Sequence, residues 1–222
     1  MRDIALFIFG AALGVAFVFG SAWAPQEIET RTASAFVAPL AKPATPAALP
    51  FETQIRSDAV PTVRLLKGAN GSCSAVVIAT GYAVTALHCK EAVDGKVDGH
   101  PIAKWTEFST KDIAVVEVPG LICPCATPGK KALAGERVAA LGFPYGVGLS
   151  TRYGWTDGDI TYQDEVYAHH TAFTDPGMSG GGVFTVRKGR VVLVAITSKN
   201  AGNSALSVTV EGVPLRPAEV EG

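Results

Sequence analysis

Residues 71–89 read Gly71-Ser-Cys-Ser-Ala-Val-Val-Ile-Ala-Thr-Gly-Tyr-Ala-Val-Thr-Ala-Leu-His88-Cys89. Two short runs of small and β-branched residues, 74–79 and 83–86, are bounded by glycine, and a histidine follows the second almost at once. Branched side chains fit a pleated strand better than a helix, where they crowd the preceding turn. Outward from this stretch the pattern repeats. Residues 60–66, 113–118, 137–141, 182–186 and 190–197 are runs of the same kind, bounded by Gly, Pro, Asn or Asp. Many short strands with regular turn signals predict an all-β sandwich or barrel. No long amphipathic helix interrupts them, and Pro214 and Pro217 leave room only for a short one near the end.

The composition agrees. A chain of 222 residues makes one domain of ordinary size, or two half-domains that share a core. It carries 19 basic and 20 acidic residues, a net charge of -1, so no basic excess points to nucleic acid as a partner. Charged residues are only 18% of the chain while glycine (24) and proline (14) are plentiful, which suits tight turns between strands rather than a helical bundle. The sequence has no internal repeat.

Three segments precede the globular pattern or open it. Residues 4–24 are apolar without a polar face and as a helix would span ~31 Å, enough for a hydrocarbon core about 30 Å thick. They predict a transmembrane anchor over 1–24. The competing reading is a signal peptide cut after Ala22-Trp23-Ala24; the length of the run and Pro25 just beyond the cut favour the anchor. Gly10 and Gly14 form a GxxxG on which two such helices would associate weakly. Arg2 before the run sets the bulk of the chain on the extracytoplasmic side, against secretion after signal cleavage as the alternative. Residues 25–50, rich in Ala and Pro, bury too little to fold and predict an extended linker. The globular domain is assigned to 51–222.

Chemistry is concentrated in three places: His88 at the end of the quoted stretch, Asp112 at the head of Asp112-Ile-Ala-Val-Val-Glu-Val, and Ser179 within Asp175-Pro-Gly177-Met-Ser179-Gly180-Gly-Gly. A serine hydroxyl is a poor nucleophile near neutral pH and needs a base. His88 accepts the Ser179 proton and later returns it to the leaving amine. Asp112 fixes the His88 tautomer and stabilises the imidazolium. Gly177 and Gly180 let the backbone turn sharply about the serine. The Gly177 and Ser179 N–H groups then face the developing oxyanion, where one donor is worth about 3 kcal/mol of barrier. Asp94 and Asp98 are weaker candidates for the third member, since Asp94-Gly-Lys-Val-Asp-Gly reads as a hairpin tip. His100, His169 and His170 lack comparable flanking patterns and are assigned structural or exposed positions.

These motifs carry a resemblance. TALHC, DIAVV and GMSGG resemble the histidine, aspartate and serine motifs of the chymotrypsin/trypsin-like serine peptidases, in that family's chain order. The likeness covers residues 58–210. It implies two perpendicular six-stranded antiparallel β-barrels, over 58–125 and 131–210, with the active site in the cleft between them. It also implies a disulfide between Cys73 and Cys89, which stands against a pair of reduced buried thiols. Cys123-Pro-Cys125 keeps two readings, a disulfide across one residue or a metal pair short of ligands. Residues 133–146, with Gly-Glu-Arg-Val-Ala-Ala-Leu-Gly142-Phe-Pro144, are similar to a strand of the high-temperature-requirement peptidases; the compact viral and phage trypsin-like proteases are the other comparison.

The reading is a serine endopeptidase acting on protein or peptide substrates through an acyl-enzyme, with no cofactor and no metal. Its rivals are a catalytically silent, membrane-anchored binding module and an esterase on the same triad. Met178 stands where trypsin has the aspartate that pairs with a newly cut N-terminus, so activation of that kind is not expected. The resemblance places the specificity pocket at Phe173, Thr197, Ser198 and Lys199. Without a carboxylate floor it predicts cleavage after small or medium apolar residues, or after an acidic residue held by Lys199.

Overall fold

The computed structural model describes residues 49–93, 95–108 and 110–215. The anchor at 1–24, the linker up to residue 48, the Gly10/Gly14 pair and Asp94 lie outside the described residues. Among those described, no helix is long and apolar enough to cross a membrane.

The chain enters through one continuous helical segment: α1 (Phe51–Gln54), a wider π turn (Ile55–Ala59) and a 3-10 turn (Val60–Thr62). The strand expected over 60–66 therefore starts only at Val63. Pro61 is the reason: its fixed φ suits the first positions of a helical turn, and without an N–H it adds nothing to a ladder.

Seven strands follow: β1 (Val63–Lys67), β2 (Ser72–Ala79), β3 (Tyr82–Thr85), β4 (Lys96–Val97), β5 (His100–Pro101), β6 (Lys104–Phe108) and β7 (Ile113–Glu117). They form a sheet in the order β5-β4-β1-β2-β3-β7-β6. This corrects the expectation of two six-stranded barrels, because β5 and β6 remain as open edges. β4 and β5 are two residues long, and Pro101 has no N–H to donate, so that edge offers little for β6 to close on. The second half does close. β8 (Arg137–Gly142), β9 (Ser150–Tyr162), β10 (Glu165–His170), β11 (Gly182–Arg187), β12 (Arg190–Asn200) and β13 (Ala205–Thr209) make an antiparallel barrel in the order β10-β13-β12-β11-β8-β9.

The apolar runs explain how the halves fuse. In β7, Ile113 and Val115 enter one cluster while Val116 enters another, so the strand is buried on both faces and reads as a continuous apolar run. The first cluster joins Val63, Val76, Val84 and Ile113 of the sheet to Leu141, Phe184, Ile196 and Leu206 of the barrel, with Ile55 of the entry helix packed in. Each such side chain contributes about 1.5–3 kcal/mol on burial, so sheet and barrel share one core. Cys73 on β2 is bonded to Cys89, with Cα atoms 6.2 Å apart, and the 16-residue separation is worth about 3 kcal/mol on the chain-entropy model. Cys123 and Cys125 are bonded to each other in the connection between the halves.

Candidate active site

Three segments from both halves converge. β3 ends at Thr85, the chain turns, and His88 stands directly before the short helix α2 (Cys89–Ala92). Cys89, next in sequence, is tied to β2 by the disulfide, which fixes where that turn lies. Asp112 immediately precedes β7, which pairs with β3 through Thr85 and Ala114. Neighbouring strand ends thus bring His88 and Asp112 together. The His88 amide donates to Asp112 Oδ1 at 2.9 Å, and His88 Nδ1 meets Asp112 Oδ2 at 2.7 Å. The Ser198 hydroxyl donates to the same Oδ2.

Burial pushes the Asp112 carboxyl up, but the bonds from the His88 ring, the Ser198 hydroxyl and the His88 amide outweigh it and bring it down to about 2. The group is therefore ionised at neutral pH and only accepts hydrogen bonds. That assigns the proton of a neutral His88 ring to Nδ1 and leaves the Nε2 lone pair free. The His88 side chain is 45% exposed, against 13% for Asp112, so the ring opens onto solvent while its partner is covered.

Ser179 sits on the loop between β10 and β11. Two glycines shape it. Gly180 has φ +81, and a Cβ there would lie 2.1 Å from both Ser74 O and Thr85 Oγ1. Gly177 has φ +94, with Phe143 O 2.6 Å from where its Cβ would stand. Only glycine fits either position. Met178, fully buried, anchors the loop from beneath, where Gly142 of β8 leaves it room. The Ser179 hydroxyl lies 3.4 Å from Ser198 O and makes no hydrogen bond to the imidazole. Cys89 Sγ lies 3.8 Å from Ser179 O, which puts the serine beside the histidine turn. Among the described residues, the Gly177 and Ser179 amides have no hydrogen-bond acceptor. The Tyr145 amide donates to Pro176 O at 2.6 Å and so fixes the orientation of the Pro176–Gly177 peptide.

Sequence reading missed Ser74 here and gave Ser198 a different role. Ser74 of β2 holds the serine loop at two points, its amide donating to Ser179 O (2.7 Å) and its hydroxyl to Gly177 O (2.9 Å), and that hydroxyl also accepts the Phe143 N–H just after β8 (2.8 Å). A polar side chain amid Ala and Val was the available signal. Ser198 was assigned to the specificity pocket, yet its hydroxyl is committed to Asp112.

The other candidates have the following surroundings. Phe173 is 41% exposed and lies under the Arg152 guanidinium, 4.6 Å from the ring centre. Thr197 is buried, and its Oγ1 has no partner among the described residues. Lys199 stands over the Tyr162 and Tyr167 rings at 5.4 and 4.9 Å, and its bond with Tyr167 raises its pKa. Asp98 follows β4 and pairs with Arg64 of β1 at 3.1 Å. His169 pairs with Asp157 at 3.0 Å, and His170 is buried against Ser207. Cys73, His88 and Cys89 cluster closely enough to suggest a metal, but both sulfurs are consumed by the disulfide.

A cleft of about 460 Å³ adjoins the site, lined by Leu87, His88, Lys111, Asp112, Glu165, Tyr167, Ser198 and Lys199. A larger cavity of about 710 Å³ lies along Leu65, Lys67, Lys96 and Asp98 and holds neither nucleophile nor base.

An open sheet and a closed barrel sharing one core, with histidine and aspartate turns from the first facing a glycine-bound serine from the second, is the arrangement of a chymotrypsin-like hydrolase. The sequence profile of the trypsin-like peptidase domain matches residues 73–194, and the chain belongs to that family, a serine endopeptidase by class. No curated protein sequence matches it. Among solved structures, the active form of the Rv3671c protease from M. tuberculosis is 18% identical, with TM-score 0.59, covering 82% of this chain and 94% of that one. The HtrA-type protease AlgW with tripeptide is 24% identical (TM-score 0.61), covering 73% of this chain and 60% of that chain. The MamO protease domain from Magnetospirillum magneticum is 16% identical (TM-score 0.58), covering 70% and 95%. At these identities the likeness is one of fold.

Proposed function

We propose that the chain hydrolyses peptide bonds through an acyl-enzyme, with Ser179 as nucleophile, His88 as general base and then acid, and Asp112 as the residue that orients the imidazole. The observation that carries this is the 2.7 Å contact between His88 Nδ1 and an ionised Asp112, beside the glycine-bound Ser179. With Nδ1–H committed to Asp112, Nε2 is the atom that takes the serine proton. The serine hydroxyl leaves Ser198 O as substrate enters; such contacts commonly tighten only in the substrate complex. The unpartnered Gly177 and Ser179 amides receive the carbonyl oxygen as it becomes negative.

A small fluorophosphonate probe tests the reading. The wild-type chain is expected to be labelled at Ser179, and Ser179→Ala to remain unlabelled while folded. An unlabelled wild type would return the chain to the silent binding module.

Localisation belongs to the same proposal. The apolar run 4–24 and two disulfides support a single-pass anchor with the peptidase on the extracytoplasmic side, where thiols oxidise. Full-length protein is expected to stay with membranes through a carbonate wash. Recovery of a mature chain starting near Pro25 would replace the anchor by a signal peptide.

A further inference from the structure

Cys123-Pro124-Cys125 lies in the connection between the halves and takes no part in the site described above. The backbone around it is already held. Before it, Gly81 N–H donates to Leu121 O at 2.8 Å. After it, Ala126 N–H donates to Val77 O and Leu193 N–H to Thr127 O, both at 2.8 Å. The disulfide joins residues only 2 apart in sequence, against 16 for Cys73–Cys89, and loop closure contributes less the shorter the loop. It is a weak staple on a chain that is pinned without it. It is also the accessible one. Cys123 is exposed and Cys125 half-buried, whereas Cys73 and Cys89 are 3% and 0% exposed. Exposed disulfides are the labile ones.

The two sulfurs differ in their surroundings. Thr80, in the turn between β2 and β3, donates its hydroxyl to Cys123 Sγ at 3.6 Å. A donor at that sulfur, beside water, favours the thiolate and makes Cys123 the better leaving group. Cys125 instead lines a cavity of about 240 Å³ together with Asp58, Thr127, Phe184 and Arg190. Among the described residues, Asp58 and Arg190 form no ion pair. One cavity wall thus offers a carboxylate and a guanidinium, the complements of an amino acid's ammonium and carboxylate.

We propose that Cys123–Cys125 is an exchange site for a small amino-acid thiol, with Cys125 taking the incoming sulfur and Cys123 leaving. The first thiolate bonds to Cys125 Sγ as the bond between the two cysteines breaks, and the electron pair departs on Cys123, which takes up a proton. A second thiolate attacks the small-molecule sulfur of this mixed disulfide and leaves with it as a symmetrical disulfide, while Cys125 takes up the second proton. The protein pair gains two electrons and two small thiols lose one each. Neither step involves His88, Asp112 or Ser179.

The test treats the full-length Ser179→Ala chain with L-cysteine at neutral pH, quenches samples with iodoacetamide and maps the modified peptides by mass spectrometry. Before treatment neither Cys123 nor Cys125 is expected to be alkylated. During it both are expected to become alkylated at least roughly tenfold faster than Cys73 and Cys89, as exposure governs access. The early intermediate should carry cysteine on Cys125 and the alkyl group on Cys123. Alkylation of the untreated pair, or reduction of both disulfides at one rate, overturns the exchange site, and cysteine found on Cys123 overturns its direction. The double variant Asp58→Asn, Arg190→Gln is expected to slow L-cysteine roughly threefold relative to neutral 2-mercaptoethanol, the scale of exposed charge contacts. The 2-mercaptoethanol rate doubles as the check that the variant is folded, and an unchanged ratio overturns the amino-acid thiol as ligand. Fluorophosphonate labelling of the wild type reads the triad separately, so either result stands without the other.

Discussion

Asp112→Asn is expected to lower kcat by roughly 10⁴ with the fold retained. The carboxylate, held at about 2, accepts from the His88 ring, the His88 amide and the Ser198 hydroxyl. An asparagine amide offers one oxygen and one NH₂ to the same three donors. If the NH₂ faces the ring, Nδ1 becomes an acceptor and the proton moves to Nε2, which can then no longer accept from Ser179. The stability effect is smaller and separable. Because the folded carboxyl titrates below its usual 3.8, its contribution of roughly 2 kcal/mol is present above pH 4 and disappears as pH falls toward 2. Steady-state cleavage and urea unfolding at neutral pH measure the two effects independently. Near-wild-type kcat in Asp112→Asn would show that Asp112 is not the orienting residue and move attention to Asp94.

The second large effect is acid sensitivity from a residue outside the triad. His170 is 1% exposed, and its Nε2 lies 2.8 Å from Ser207 Oγ. Burial brings its pKa down to about 4, with His169 acting the same way and Asp157 opposing. Between pH 6.5 and 4 the unfolded chain therefore binds a proton that the native state refuses. Stability falls across that window as pH falls, by up to about 3 kcal/mol. His170 leads directly into the loop that carries Ser179, so activity is expected to be lost with the same transition. His170→Gln keeps a partner for Ser207 and removes the titration. The urea midpoint of the wild type should drop between pH 6.5 and 4, and that of the variant should stay nearly level. Equal pH slopes would show that His170 does not govern the acid limit.

Sequence motifs marked the candidate site because its parts are local. A glycine-bracketed serine, a histidine at a strand end and an aspartate at a strand start each declare themselves within a few residues. The interactions that assemble them were not legible, because they join residues far apart in the chain. Ser198 reaches Asp112 across 86 positions, and Ser74 reaches Gly177 across 103. A serine in a strand looks the same in sequence whether it faces solvent or clamps a loop. β9 shows a different limit. Its 13 residues include Gly154, Gly158 and five exposed acidic or aromatic positions, so the strand carries no apolar run to mark it. Backbone pairing to β8 and β10 holds it instead. The open edge of the first sheet was concealed by a family expectation of closure that Pro101 and two-residue strands defeat.

The Ser74 contacts bear on how this molecule can be controlled. Ser179 belongs to the second half, yet its carbonyl and that of Gly177 hang from a strand of the first. A rotation of the halves about a hinge would break the two bonds that seat the serine loop on β2. The Tyr145 bend that grips Pro176 O ties the same loop a second time and fixes the peptide plane that carries the Gly177 amide.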